Sequence, residues 1–289
     1  MMSTPAADEI SEDPIRRVLM IGTCRIYRSA HRMRRDNVMV TTSPHRFHTL
    51  KQVELALRYH NGEDVFPRDL THTISRRAVE LLVTEPDAFD RIEALRQGFA
   101  PLSSFDAYVI EIGALKEHYA TPEGGAEVLI NSLVPVDMIQ YADQLEPLYA
   151  AGSLRRMSNF RTEPTPRPEA KALMRKIKNL LQGKPIVWVS HANIESPAAG
   201  EETLFNARAR LAPTLQAGAT SMLDSFYDPT ALATALGRRA FFENRGQDLV
   251  HYTRHGHAAL SDELLKLVAP DAHPAPTTDM VDDDDYDGD

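Results

Sequence analysis

Arg17-Val-Leu-Met-Ile21-Gly22-Thr23-Cys24-Arg25 decides how the rest of the chain is read. A short apolar run ending in glycine is the pattern of a buried strand followed by a turn. Ile26 to Arg35 then reads as a helix, with Ile26, Ala30 and Met33 on one face. The same succession returns further on. Val38–Thr42 reads as a second strand, halted by Ser43-Pro44, and Phe47–Tyr59 as an amphipathic helix closed by Asn61-Gly62. Phe105-Asp-Ala-Tyr-Val-Ile-Glu-Ile-Gly113 is a third buried strand ending in glycine. The helix Glu169–Leu181 ends at Gly183 and runs into a fourth strand, Pro185-Ile-Val-Trp-Val-Ser190. A helix near Glu201–Gln216, a turn-rich Asp224-Ser-Phe-Tyr-Asp-Pro229 and a last helix, Ala258–Val268, complete the series. Between these, 63–104 is less regular, with helices expected over Ser75–Val83 and Pro86–Gln97, and 114–165 is mixed, with a helical stretch near 134–149. Strand–helix alternation of this kind predicts an α/β fold, a parallel sheet flanked by helices on both faces.

The chain has 289 residues, with 32 Lys and Arg against 41 Asp and Glu, a formal net charge of −9. Four of the acids lie in 1–14 and seven in 279–289, where there is no Lys or Arg, so the acidity belongs to the ends and the remainder is nearly balanced. Both ends are expected to be disordered. The organisation read from this is a disordered 1–14, one α/β domain over 15–270 with 114–168 as an insertion over the site or at an interface, and a disordered acidic tail, 271–289. A balanced domain lacks the continuous basic face of a nucleic-acid binder. No apolar run approaches the roughly 18 residues of a membrane span, and the polar N-terminus has no secretory pattern. One cysteine, Cys24, excludes an intrachain disulfide, and the reading is cytoplasmic. Nothing in the composition sets an oligomeric state.

In open parallel sheets ligands sit outside the carboxyl ends of the strands. Polar or glycine signals stand there in Gly22-Thr-Cys-Arg25, Ser43-Pro-His45, Gly113-Ala-Leu-Lys116 and Ser190-His-Ala-Asn193. Cys24 falls at the first strand-to-helix turn, where free N–H groups and the helix dipole favour a thiolate. Seven arginines from Arg16 to Arg35, with no acid among them, add to that effect. The competing reading of a lone cysteine is a small buried hydrophobe. A second group, Asp248-Leu-Val-His251, has the spacing at which a carboxylate orients an imidazole toward a nucleophile. His251, His255 and His257 do not form a zinc pattern, so neither metal nor cofactor is expected; helix-capping or solvated histidines are the structural alternative.

Together these residues resemble the SGNH (GDSL-like) hydrolase superfamily: Gly-x-nucleophile after the first strand, the central strand Tyr108-Val-Ile-Glu-Ile-Gly113, and Asp-x-x-His before the last helix. The resemblance implies a three-layer, flavodoxin-like fold and acyl transfer or ester hydrolysis. It sets Gly22-Thr23-Cys24 where the family has Gly-Asp-Ser, with Cys24 as nucleophile and His251 and Asp248 as its base and orienting acid. A cysteine in that block is similar to the GSCFA-type branch and to capsule-polysaccharide biosynthesis proteins, implying a small-molecule or saccharide acyl substrate. Gly22, Thr23, Arg25, Gly113 and Asn193 are the implied oxyanion and substrate-binding residues, Arg25 toward a carboxylate or phosphate. Two family blocks differ: no oxyanion glycine stands in Thr41-Thr-Ser-Pro-His45, and Leu115 occupies the asparagine position of Gly-x-Asn-Asp. Those departures keep open a second reading, a non-catalytic module that binds an anionic ligand or a protein.

Overall fold

The computed structural model describes residues 15–33, 37–43, 47–63, 100–130, 139, 142–152, 155–194, 205–206 and 208–270. Its strands are β1 (Arg16–Ile21), β2 (Val38–Thr42), β3 (Ala107–Glu111), β4 (Lys116–Pro122), β5 (Val128–Ile130), β6 (Met157–Pro164), β7 (Ile186–Val189) and β8 (Ser225–Tyr227). Five of them form one sheet in the order β2-β1-β3-β7-β8, every neighbouring pair parallel, with Met20 beside Val109 and Ile110 beside Trp188. This is the 2-1-3-4-5 order of flavodoxin-like sheets, whose direction of winding reverses between the first and third strands.

Burial on both faces explains why the central strands read as unbroken apolar runs. Leu19, Ile21, Tyr108, Ile110 and Trp188 face a layer built on α2 (Leu50–His60), α4 (Arg167–Leu180) and α5 (Leu211–Ser221). Their neighbours in sequence, Val18, Met20, Val109, Val187 and Val189, face the opposite layer, which holds α1 (Cys24–Ala30) and α8 (Arg254–Val268). Shorter helices are α3 (Ala142–Ala150), α6 (Thr230–Leu236) and α7 (Arg238–Phe241), with a kinked turn over Glu243–Gly246 and a 3-10 turn over Leu102–Ser104. None of the described helices is long and apolar enough to cross a membrane.

The structure departs from the sequence expectations at several places. α1 starts at Cys24 and ends at Ala30, because the Thr23 side chain caps it; Arg34 and Arg35 lie outside the described residues. The turn expected over Asp224–Pro229 contains the edge strand β8. α5 runs Leu211–Ser221, later than the expected Glu201–Gln216, most of whose first half lies outside the described residues. The mixed region 114–165 holds a second sheet, antiparallel, in the order β5-β4-β6. Glu117 ties it to the main domain, accepting from Thr49 at the start of α2 (2.5 Å) and from Thr165 (3.2 Å); burial pushes this carboxyl up. The helices expected over Ser75–Val83 and Pro86–Gln97, His45 and both acidic ends lie outside the described residues.

α8 also begins earlier than expected, at Arg254, since the Thr253 hydroxyl accepts from the Gly256 N–H (3.0 Å). Gly256 lets that first turn press on α7: a Cβ there would lie 2.5 Å from the Phe241 carbonyl oxygen, a backbone atom. Gly256→Ala is therefore expected to destabilise by about 1–3 kcal/mol, read as a lower midpoint of denaturant unfolding. An unchanged midpoint would mean that the α7–α8 contact yields freely.

Candidate active site

The reversal of winding lies between the carboxyl ends of β1 and β3, and there the chain turns from Ile21 through Gly22 and Thr23 into Cys24. Glu111 is the last residue of β3 and almost fully buried. Its carboxylate gathers the β1 turn: Oε2 accepts from the Thr23 N–H (3.0 Å) and the Thr23 hydroxyl (2.5 Å), and Oε1 from Arg25 Nε (2.6 Å). Gly22 permits the approach, since a Cβ there would meet Glu111 Cβ at 2.7 Å. Burial acts to raise the Glu111 pKa, but the Arg25 charge and the Thr23 and Arg25 hydrogen bonds outweigh it and hold the carboxyl below the ordinary value. Glu111 lay inside the third strand as read from sequence; an acid within a fully apolar run was the signal that it had a buried partner.

From the other side comes the loop before α8. Asp248 Oδ1 accepts the N–H groups of Val250 (2.7 Å) and His251 (3.1 Å), which closes a tight turn. Its Oδ2 lies 2.7 Å from His251 Nδ1, so the ring is oriented by the carboxylate as the spacing predicted. Arg25 joins the two halves, because its Nη1 donates to the Val250 carbonyl (3.1 Å). The half-buried thiol of Cys24 comes near enough to the His251 side chain for each to shift the other's titration. The thiol is the largest influence on His251, whose pKa is pushed up to about 9 with further help from Asp248 and against partial burial. Burial works to raise the Cys24 pKa, yet the His251 ring and the Arg25 charge bring it below the usual thiol value despite Glu111 nearby. A thiol lowered and an imidazole raised are the two halves of a thiolate–imidazolium pair.

This places Cys24, His251 and Asp248 in one constellation, and reassigns the other sequence candidates. Thr23 gives both its N–H and its hydroxyl to Glu111, so its amide is not a free oxyanion donor. Arg25, 3% exposed, is engaged by Glu111 and Val250 and is not open to a substrate anion. The Gly113 N–H donates to the His48 carbonyl (2.8 Å); the missing side chain leaves room for Arg25, whose Nη2 would be 3.2 Å from a Cβ. Asn193 donates its N–H to Thr230 Oγ1 (2.9 Å), and its buried side-chain oxygen has no partner among the described residues. The Cys24 N–H has no acceptor among the described residues, which leaves it open to an oxyanion. Among the described arginines of this stretch, Arg25 lowers the thiol through its charge, while Arg28 pairs with Glu243 (3.0 Å).

The remaining histidines separate. His257 is buried, bonds the Ser29 hydroxyl (3.0 Å) between α8 and α1, and is pushed down to about 3 by burial and by Arg28 and Arg32. It is a neutral packing group, and His255 is exposed. Glu243, Asp248 and His251 bring ligand-type atoms within 4.8 Å of one another, an arrangement accounted for by the Arg28–Glu243 and Asp248–His251 pairs.

A 2-1-3-4-5 parallel sheet, a cysteine-bearing turn after β1 and an Asp-x-x-His pair entering the last helix now stand together. The chain has a flavodoxin-like α/β fold, the architecture that the sequence resemblance implied. Residues 137–267 match the family described as the TviD N-terminal domain, a span that includes β7 and the Asp248–His251 pair and stops short of Cys24. Similar solved structures include a catalytic mutant of an acetylxylan esterase from Geobacillus stearothermophilus, 11% identical with a TM-score of 0.44 over 92% of this chain and 98% of that one. The unmutated esterase is 12% identical with a TM-score of 0.42 over the same shares, 92% and 98%. An aryl esterase from M. smegmatis is 12% identical with a TM-score of 0.38, over 87% of this chain and 99% of its own. No curated protein matches the chain in sequence.

Proposed function

We propose that this protein is a cytoplasmic enzyme of acyl transfer or ester hydrolysis, with Cys24 as nucleophile, His251 as its proton partner and Asp248 as the orienting carboxylate. The observation that carries the reading is that the Asp248-oriented ring of His251 lies near enough to Cys24, at the opposite end of the sequence, for each to shift the other's titration. It also favours an enzyme over a non-catalytic binding module, since a binder needs no thiol against an oriented imidazole. The thiolate attacks an acyl carbonyl, the carbonyl electrons move to oxygen, and collapse of the tetrahedral species expels the leaving group with the proton held on His251. The product is a thioester on Cys24. Water or an acceptor hydroxyl, deprotonated by His251, then releases the acyl group. The free Cys24 N–H is the candidate oxyanion donor, a contribution whose loss in such sites costs about 10²–10³ in rate. Acylated saccharides are the proposed substrate class, following the resemblance to capsule-polysaccharide biosynthesis proteins; nucleic acid has no role in the reading.

The pH dependence tests the pair. Cys24 must be ionised and His251 protonated, so kcat/KM is expected to rise below the ordinary thiol range and to fall as pH passes about 9, where His251 loses its proton. Asp248→Asn removes a charge that raises the imidazole, and should move the alkaline limb to lower pH. Because a thiol needs less general-base help than a hydroxyl does, its loss of rate should be smaller than that of the nucleophile variant. The measurement is a pH–rate profile on a panel of acyl esters, paired with the pH dependence of Cys24 alkylation. A thiol that alkylates only above the ordinary cysteine range would sink the ion-pair mechanism.

A further inference from the structure

Among the described residues, the end of β7 and its surroundings carry buried polar groups without a hydrogen-bond partner. Arg208 is 7% exposed, and its Nη1 donates to the carbonyls of Ala192 (3.3 Å) and Leu249 (3.0 Å). Its Nε is buried with no acceptor. Among the described residues no carboxylate pairs with it, in contrast to Arg25, which has Glu111. Burial and the nearby Arg25 charge push the Arg208 pKa down to about 10, which shows how poorly the site solvates this cation. Ser190, 1% exposed, gives its N–H to Tyr227, but its hydroxyl is buried without a partner, as is the side-chain oxygen of Asn193. Buried charges are ordinarily paired and buried donors ordinarily satisfied, since each exception costs free energy. A buried guanidinium without a counter-ion, close to buried groups with unused hydrogen-bonding capacity, is a site lacking its anion.

The location gives this a function. Leu249 lies between Asp248 and His251, so Arg208 touches the backbone of the loop that bears the candidate base, and β7 is the neighbour of β3 in the sheet. We propose that Arg208 and Ser190 form an anion subsite of the same reaction centre, taking a carboxylate or phosphate of the substrate on the unpaired Nε edge of the guanidinium once the substrate enters, with Asn193 receiving a neighbouring hydroxyl. This deepens the acyl-transfer reading and rests on it for the word substrate. Side-on contact of this kind is what distinguishes arginine from a point charge. The anion-binding role that the sequence suggested for Arg25 passes to an arginine remote from it in sequence.

The test is binding, so that it does not depend on turnover. Calorimetric titration of the full-length Cys24→Ala protein would use D-glucuronate, inorganic phosphate and D-glucose as probes. The expected result is that one anion binds at least about tenfold more tightly than glucose, the scale of one charge-assisted hydrogen bond; which anion does so separates a carboxylated from a phosphorylated substrate. Arg208→Gln should abolish the preference in a protein whose circular dichroism is unchanged. Ser190→Ala, a milder change, should weaken the favoured anion several-fold and leave glucose unaffected, and covers the case in which Arg208→Gln fails to fold. Equal binding of anions and glucose, or a preference that survives whichever of these variants folds, overturns the proposal. Anion binding in a protein whose ester turnover is indifferent to Cys24 would instead overturn the nucleophile and leave the subsite standing.

Discussion

Cys24→Ala is expected to lower turnover of acyl esters and thioesters by about 10⁴–10⁶-fold, the range seen when the nucleophile is removed from a Ser-His-Asp unit. The effect is large because no other group can replace the sulfur: Cys24 is the only cysteine in the chain. Intact-mass analysis during turnover should show the acyl group on the native protein and none on the variant. His251→Ala should lose nearly as much, since it leaves a half-buried thiol without the ring that lowers it. Cys24→Ser separates two causes, as a hydroxyl fits the space but is not ionised by an imidazole at neutral pH. Unchanged turnover in Cys24→Ala would end the enzymatic reading of this residue.

Glu111→Ala is the substitution expected to cost most in stability, about 3–5 kcal/mol, because removing one partner leaves a charged Arg25 buried and unpaired. The same change frees the Thr23 N–H and hydroxyl, so the turn that presents Cys24 loses its anchor as well. Denaturant unfolding would measure the loss. A double variant, Glu111→Ala with Arg25→Met, should recover part of it, as the uncompensated charge is then gone; independent, additive losses would show that the two residues are not coupled. Acid should act in the same direction. The folded Glu111 pKa is depressed, so its stabilisation is complete above the ordinary glutamate range and disappears as pH falls through the lower, folded value. Stability that stayed flat through that range in the native protein would argue against the pair.

How much was visible beforehand depended on the range over which each feature is encoded. β1, β3 and β7 are buried on both faces, and such strands must be contiguous apolar runs, which is a local signal. β8 is a three-residue edge strand, Ser225-Phe-Tyr227, whose pairing with β7 makes it a strand; alone it reads as a turn. β6 escapes for a related reason, since all of its residues after Met157 are exposed and leave no periodic trace of burial.

The candidate site divides along the same line. Asp248 and His251 are three residues apart, and Thr23 stands next to the thiol it helps to present, so their geometry is written into short segments. By itself the sequence determined the alternation of the four strands β1, β2, β3 and β7 with their helices, the cysteine-bearing turn and the carboxylate–imidazole pair. The tertiary structure alone decided what each arginine does. Arg25 meets Glu111 across 86 residues and Val250 across 225, and Arg208 meets Leu249 across 41. A guanidinium carries the same charge wherever it lies; whether it is sealed against a carboxylate or left without one depends on which strand ends the fold brings together.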